Sequence, residues 1–309
     1  MQHYLIEEGD NNSIVAPDLF GSVVLATHKD TKSRVAIKRL SLDKASPQYT
    51  HMTMERRVNK HVKKLGGHAN IVALVDSFED NSIDHLVLEH CAKGSLFDVL
   101  AATTDKRFSH RDSIEYFAQI ADGVAFLKKL GYAHCDLSLE NVLVSATNVA
   151  KLSDFGLAAD ASVKKTAPVG KYFYMAPEMY DGHKYDPCQA DVWSLGILLF
   201  IMLTGVAPFR QARVMDDQFE HFKQEGLGAL CESLRVAHLV PTDTFLLLEG
   251  MLQINPAARL TISDVVYHLC VPEAVAPRRK LSFFQKVLDP FKGRKLSRSN
   301  SFQHHRTTF

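Results

Sequence analysis

The first third of the chain alternates short β-branched runs with turn residues. Residues 22–26 (Ser-Val-Val-Leu-Ala) and 34–38 (Arg-Val-Ala-Ile-Lys) predict strands, separated by the turn Lys29-Asp30-Thr31-Lys32. Met54, Val58, Val62 and Leu65 then recur at helical spacing until Gly66-Gly67 ends the pattern. Two more strands are predicted over residues 70–75 and 85–89. Beyond Gly94 the texture changes to long helical patterns, 113–130 and 191–203, with a last helix over 262–269 after Asn255-Pro256. No internal repeat is visible. The pattern predicts an α+β, two-lobed fold: a small β-rich N-lobe with one main helix, then a larger helical C-lobe. The expected divisions are an N-lobe over 1–89 that starts near residue 14, a hinge and C-lobe over 90–272, and a basic tail over 273–309.

Composition narrows the class. A chain of 309 residues buries about 75% of its unfolded surface, enough for a core that needs no staples. Its five cysteines are scattered, without a C-x-x-C pair or metal-ligand spacing, which predicts a reduced, cytoplasmic protein, with the nucleus also open. Residues 1–10 lack a basic-then-apolar signal pattern. The most apolar run, 195–203, is about half the ~20 residues of a membrane span and reads as a buried helix. Net charge is +1, but residues 277–309 carry nine Lys/Arg against one acid, which leaves −7 for the body. An acidic body argues against nucleic-acid binding and draws attention to the tail.

The chemistry lies in two clusters, His134-Cys135-Asp136 with Asn141, and Asp154-Phe155-Gly156. Phosphoryl transfer requires one carboxylate to orient the attacking hydroxyl, and a second carboxylate with an amide to hold magnesium. Asp136, Asp154 and Asn141 are candidates for those roles. Lys38 sits mid-strand in an apolar run, so its ammonium needs a partner. Glu55 is the sole acid between Asp43 and Asp76. Ala176-Pro177-Glu178, then Asp191 with Trp193 and Gly196, then Arg259 complete an ordered series.

In order and spacing this series resembles the eukaryotic protein kinases of serine/threonine type, over residues 14–270. The resemblance implies ATP and Mg²⁺ as cofactors and protein substrates. It places Lys38, paired with Glu55, on the nucleotide phosphates, Asp136 at the substrate hydroxyl, and Asn141 with Asp154 on magnesium. Adenine is expected between Val23 and Ala36 on one side and Leu143 on the other. The hinge backbone from Glu89 to Cys91 would meet its edge, with Leu88 gating the back pocket. Glu178 is expected to pair with Arg259, and Asp191 to accept backbone N–H groups of the catalytic loop. The longer stretch from Glu55 to His68 predicts an extra helical turn.

The departures from the pattern are specific. Gly21 fits the third glycine of the phosphate loop, but Ala16 and Asp18 occupy the first two glycine positions, and Pro17 removes a donor. This loop is expected to hold phosphate less well than its family norm. Cys135 replaces the arginine that usually receives an activation-loop phosphate, so activity without phosphorylation of Ser162 or Thr166 is expected. Ser138 stands where lysine is usual, and Lys171 where threonine is usual. These predict a reciprocal swap, with Lys171 reaching Asp136 and Ser138 from the opposite side. Glu140 matches an acid that contacts substrate arginine, although Ser95 and Ile201 replace its companions. The alternative reading is a pseudokinase that acts as a nucleotide-weak binding scaffold; a small-molecule kinase is disfavoured by Ala176-Pro177-Glu178. In the tail, Ser282, Ser297 and Ser301 each lie three residues after arginine and are candidate phosphosites. Leu281, Phe284, Leu288 and Phe291 form an apolar face that could dock on the kinase body, an acidic membrane or a partner.

Overall fold

Strand β1 (Tyr4–Ile6), β2 (Ile14–Asp18), β3 (Gly21–His28), β4 (Arg34–Ser41), β5 (Leu74–Asp80) and β6 (Ile83–Glu89) form one antiparallel sheet. Its order is β1-β3-β4-β6-β5, with β2 also on β3. The computed structural model describes residues 3–6, 14–18, 21–41, 49–80 and 83–270, and nothing is described of the side chains at 14–18, 21, 40 and 41. The two predicted β-branched runs fall in β3 and β4, whose register sets Val23 opposite Lys38 and Val24 opposite Ile37. Alternation sends Val24, Ala26, Val35 and Ile37 into a small core with Tyr4 and Val87.

Helix α1 (Tyr49–Lys64) lies between β4 and β5 in sequence. Met52, Glu55, Val58, Asn59 and Val62 are its buried positions, the spacing of one helix face. His61, Lys63 and Lys64 in the last turn complement the helix dipole. Gly66 and Gly67 then adopt φ of +91° and +83° and end it. Leu65, expected on the core face, is instead 54% exposed, because it falls past the last turn. The strand predicted at 70–75 is also displaced, since β5 begins at Leu74. Asn70, Ile71 and Val72 are buried in succession rather than alternately. They bond to the helical lobe instead, where Ile71 bridges Leu152 and Asn70 Nδ2 donates to Ala150 O.

The helical lobe comprises α2 (Leu96–Ala101), α3 (His110–Lys129), α4 (Pro187–Thr204), α5 (Asp217–Ser233), α6 (Thr242–Met251) and α7 (Ile262–Cys270). Ser95 and Ser109 cap α2 and α3 through Asp98 N–H and Asp112 N–H. Helix α4 begins at an Asp186 cap followed by Pro187, and stops at Gly205 with φ +76°. A Cβ on Gly205 would lie 2.8 Å from Lys106 O, so this turn admits only glycine. Fifteen of the 18 residues of α4 are buried, so the one described helix that is long and apolar enough to cross a membrane is the central post of this lobe. Four short strands carry the loops that matter: β7 (Tyr132–Ala133) pairs with β10 (Ala159–Asp160), and β8 (Val142–Val144) with β9 (Ala150–Leu152).

Candidate active site

Lys38 points from the centre of β4 into a site where it is 4% exposed. Its Nζ lies 2.7 Å from Glu55 Oε2 and 3.2 Å from Asp154 Oδ1. One ammonium therefore ties the sheet, helix α1 and the 154–156 turn together, the partner that a buried lysine requires. Burial pushes Glu55 up to about 7, and the Lys38 charge pulls against it. Burial also opposes ionisation of Asp154, but the Lys38 ammonium and the Gly156 N–H outweigh it and hold that carboxyl below its ordinary range.

The turn between β7 and β8 is fixed from beneath. Asp191 of α4 accepts the His134 N–H at 2.7 Å and the Cys135 N–H at 2.8 Å. These bonds hold Cys135 at φ +65°, a left-handed conformation for a non-glycine residue. Buried His134 reaches Ser153 O through Nε2 at 3.0 Å and packs against Phe155, with ring centroids 5.4 Å apart. Burial drives its pKa down to about 4, so the ring is neutral. Burial raises the Cys135 thiol strongly, which removes thiolate chemistry from this loop.

Asp136 Oδ2 accepts Asn141 Nδ2 at 2.7 Å, and Oδ1 accepts the Lys171 backbone N–H at 3.2 Å. Burial pushes its carboxyl up to about 6, while the Lys171 charge and the Asn141 bond draw it down. The Lys171 side chain takes a different course from a direct pair with Asp136. Its Nζ donates to Ser138 Oγ at 2.8 Å and pairs with Glu140 Oε2 at 3.2 Å. Ser138 and Lys171 do meet across the cleft, but Asp136 receives the backbone donor of Lys171. Glu140 is thereby already paired, which works against its expected role toward substrate arginine.

The residue that permits this approach belongs to none of the motifs. Gly170 has φ +92°, and a Cβ there would lie 2.8 Å from Cys135 O and 3.1 Å from Asp136 Oδ1. Only glycine lets the segment come down onto the catalytic loop, and its place directly before Lys171 was the available signal.

The positions expected around adenine are half-buried beside fully buried neighbours: Val23, Ala36, Leu88 and Leu143. Leu88 packs against Met52, Leu74 and Leu86. The Glu89 N–H is used by Ala73 O, and its side chain by Ala73 N–H and Lys151. The Cys91 N–H makes no hydrogen bond among the described residues and is therefore available to a ligand edge. Ala16 pairs with Val23 and Asp18 with Gly21 on β2–β3, whereas the methyl and the charge expected to weaken phosphate binding lie outside the described side chains.

No cluster of three or more His, Cys, Asp or Glu suited to a metal occurs among the described residues. Asn141 gives its NH₂ to Asp136 O and Oδ2, which leaves its amide oxygen as acceptor. That oxygen and the ionised Asp154 form the sparse, hard donor set that magnesium accepts when phosphates complete its shell.

Glu178 and Arg259 form a two-pronged pair, at 2.6 and 2.9 Å, with the guanidinium 5.2 Å from the Trp193 ring centroid. The serines of the tail and its apolar face lie outside the described residues.

Comparison with known proteins points to one family. The protein kinase domain model matches residues 19–271. Over 272 residues the chain is 30% identical to maternal embryonic leucine zipper kinase of Danio rerio, covering 87% of this chain and 37% of that protein. It is 28% identical over 272 residues to NUAK family SNF1-like kinase 1 of Mus musculus, covering 86% and 39%. A probable serine/threonine-protein kinase, KCC4 of Saccharomyces cerevisiae, is 31% identical over 259 residues, covering 80% and 24%. The chain thus spans well under half the length of these curated relatives. A match that takes in the sheet from β3 onward, both loops and the whole helical lobe leads to one conclusion: the chain belongs to the protein kinase family.

Proposed function

We propose that the chain is an ATP- and magnesium-dependent serine/threonine protein kinase acting on protein substrates. The observation that carries this reading is the Lys38–Glu55 ion pair, which an active nucleotide site requires, with Asp154 held beside the same ammonium. In the reaction the acceptor hydroxyl oxygen bonds to the γ-phosphorus, the bond from that phosphorus to the β–γ bridging oxygen breaks, and ADP leaves. Asp136 orients the hydroxyl and takes its proton. Lys38 steadies the α/β-phosphates. Asn141 and Asp154 would hold magnesium, which neutralises charge on the phosphates. Lys171, held by Ser138 and Glu140, brings a cation to the loop position where Ser138 carries none. Catalysis of this kind rests on positioning and charge rather than on covalent steps.

A second reading, a scaffold that binds nucleotide weakly and does not turn it over, is favoured by Ala16 and Asp18 at two glycine positions of the phosphate loop. Transfer of the γ-phosphate to a generic protein substrate decides between them, with Asp136→Asn as control. Activity in the native protein and at least a hundredfold loss in the variant supports the kinase; equal signals from both leave the scaffold. We further propose a cytoplasmic protein whose tail, 277–309, docks through its apolar face, with Ser282, Ser297 and Ser301 as phosphosites that cancel its positive charge. Deleting 277–309 raises activity if the tail inhibits in cis, and leaves it unchanged if the tail serves only an external partner.

A further inference from the structure

Among the described residues helix α1 reaches the 154–156 turn at two points, and the nucleotide site as read above uses one of them, Glu55 through Lys38. The other is His51, four residues earlier and therefore on the same face of the helix. Its Nδ1 lies 3.0 Å from the carbonyl oxygen of Gly156. A carbonyl can only accept, so Nδ1 carries the proton in this bond.

The turn so gripped is one that needs support. Asp154 has φ +59°, a conformation that a non-glycine residue keeps only when its surroundings impose it. Lys38 holds the Asp154 side chain at 3.2 Å. The Gly156 N–H folds back onto Asp154 Oδ1 at 3.3 Å. Phe155, between them, is 1% exposed. The Gly156 carbonyl is the outgoing end of this turn, and His51 is what α1 offers it.

We propose that His51 is a positioning residue: its imidazole N–H clamps the Gly156 carbonyl and sets the Asp154 turn against α1. The helix thereby holds both ends of the turn, Asp154 through Glu55 and Lys38, and Gly156 through His51. Inward placement of the helix and presentation of the Asp154 carboxylate become one event rather than two. The kinetic consequence rests on the kinase reading above; the structural consequence is readable without turnover.

The test uses the full chain with His51→Ala, His51→Asn and, as a control on the same helix, Thr53→Ala, whose hydroxyl bonds only Thr50 O among the described residues. Asparagine places its Nδ2 near the position of the imidazole Nδ1 and can donate to the same carbonyl. Three quantities are read: amide exchange over 154–156, affinity for Mg·ADP, and KM for ATP beside kcat. His51→Ala is expected to speed exchange in that segment and to weaken Mg·ADP binding about fivefold to tenfold, the loss of one hydrogen bond. KM for ATP rises by the same factor, thermal unfolding stays at the Thr53→Ala value, and His51→Asn recovers most of the loss. Unchanged exchange and affinity in His51→Ala would overturn the proposal. So would an asparagine variant as impaired as alanine with unfolding equally lowered, which is a merely structural role. If the native protein transfers no phosphate, the functional reading fails, while exchange and binding still decide the clamp.

Discussion

Asp136 is a carboxylate whose charge is costly where it stands, and two neighbours determine how costly. Burial takes its pKa to about 6, against the charge of Lys171 and the bond from Asn141. A base acts only when ionised, so kcat/KM is expected to fall about tenfold for each pH unit below about 6. Lys171→Met removes a charge that favours ionisation, so the acid limb should move to higher pH while kcat drops about tenfold to a hundredfold. A pH profile of both proteins checks this, and a limb that does not move means the Lys171 charge goes unfelt at Asp136. The Lys171–Ser138 meeting was legible in the sequence because two departures from one family pattern fell on positions that face each other. The route was not. Linear order cannot tell that Gly170 clears space for a backbone N–H, nor that Glu140 takes the ammonium.

At the scale of elements, the segment from 160 to 186 is pinned without any phosphate. Lys165 and Tyr185 exchange two backbone hydrogen bonds, 3.0 and 2.8 Å long. The Tyr185 hydroxyl donates to Ala167 O at 2.9 Å, and Lys164 pairs with Asp186. Ser162 is held by Asp160 through both its N–H and its hydroxyl. Cys135 provides no cation for an incoming phosphate, and these contacts hold the segment in its place without one. Ser162→Ala and Thr166→Ala should therefore each retain native activity, measured on protein free of prior phosphorylation. Tyr185→Phe should instead speed proteolysis within 161–170. Element by element, β3, β4, α1, α3 and α7 were legible because apolar residues recur at the period of a strand or a helix, and α4 because its apolar run is long and unbroken. Helices α5 and α6 were not: Gly226, at φ +85° and ψ −179°, kinks α5 and breaks its pattern, and α6 starts after Pro241 with no side-chain cap. The run at 70–73 misleads because its apolar residues fill a gap between lobes rather than a pleated face.

At the scale of the molecule, one post and one ion pair organise the helical lobe. Arg259 is 3% exposed and takes Glu178 with two nitrogens, while donating to Gln253 O and Gln189 O. Arg259→Met strands the Glu178 carboxylate and should cost about 3–5 kcal/mol in chemical denaturation, whereas the double change with Glu178→Met should cost much less. Equal costs would mean that packing, not charge, sets the value. The post itself carries an optical probe. Trp193 is the chain's single tryptophan, 0% exposed, ringed by Phe209, Phe219 and Phe222 at centroid distances of 6.0 to 6.4 Å. Its emission reports on the helical lobe and is silent about the sheet. Circular dichroism sees both. Any gap between the two melting curves measures how independently the lobes unfold, and a nucleotide that stiffens only the sheet would widen that gap without changing the colour of the light.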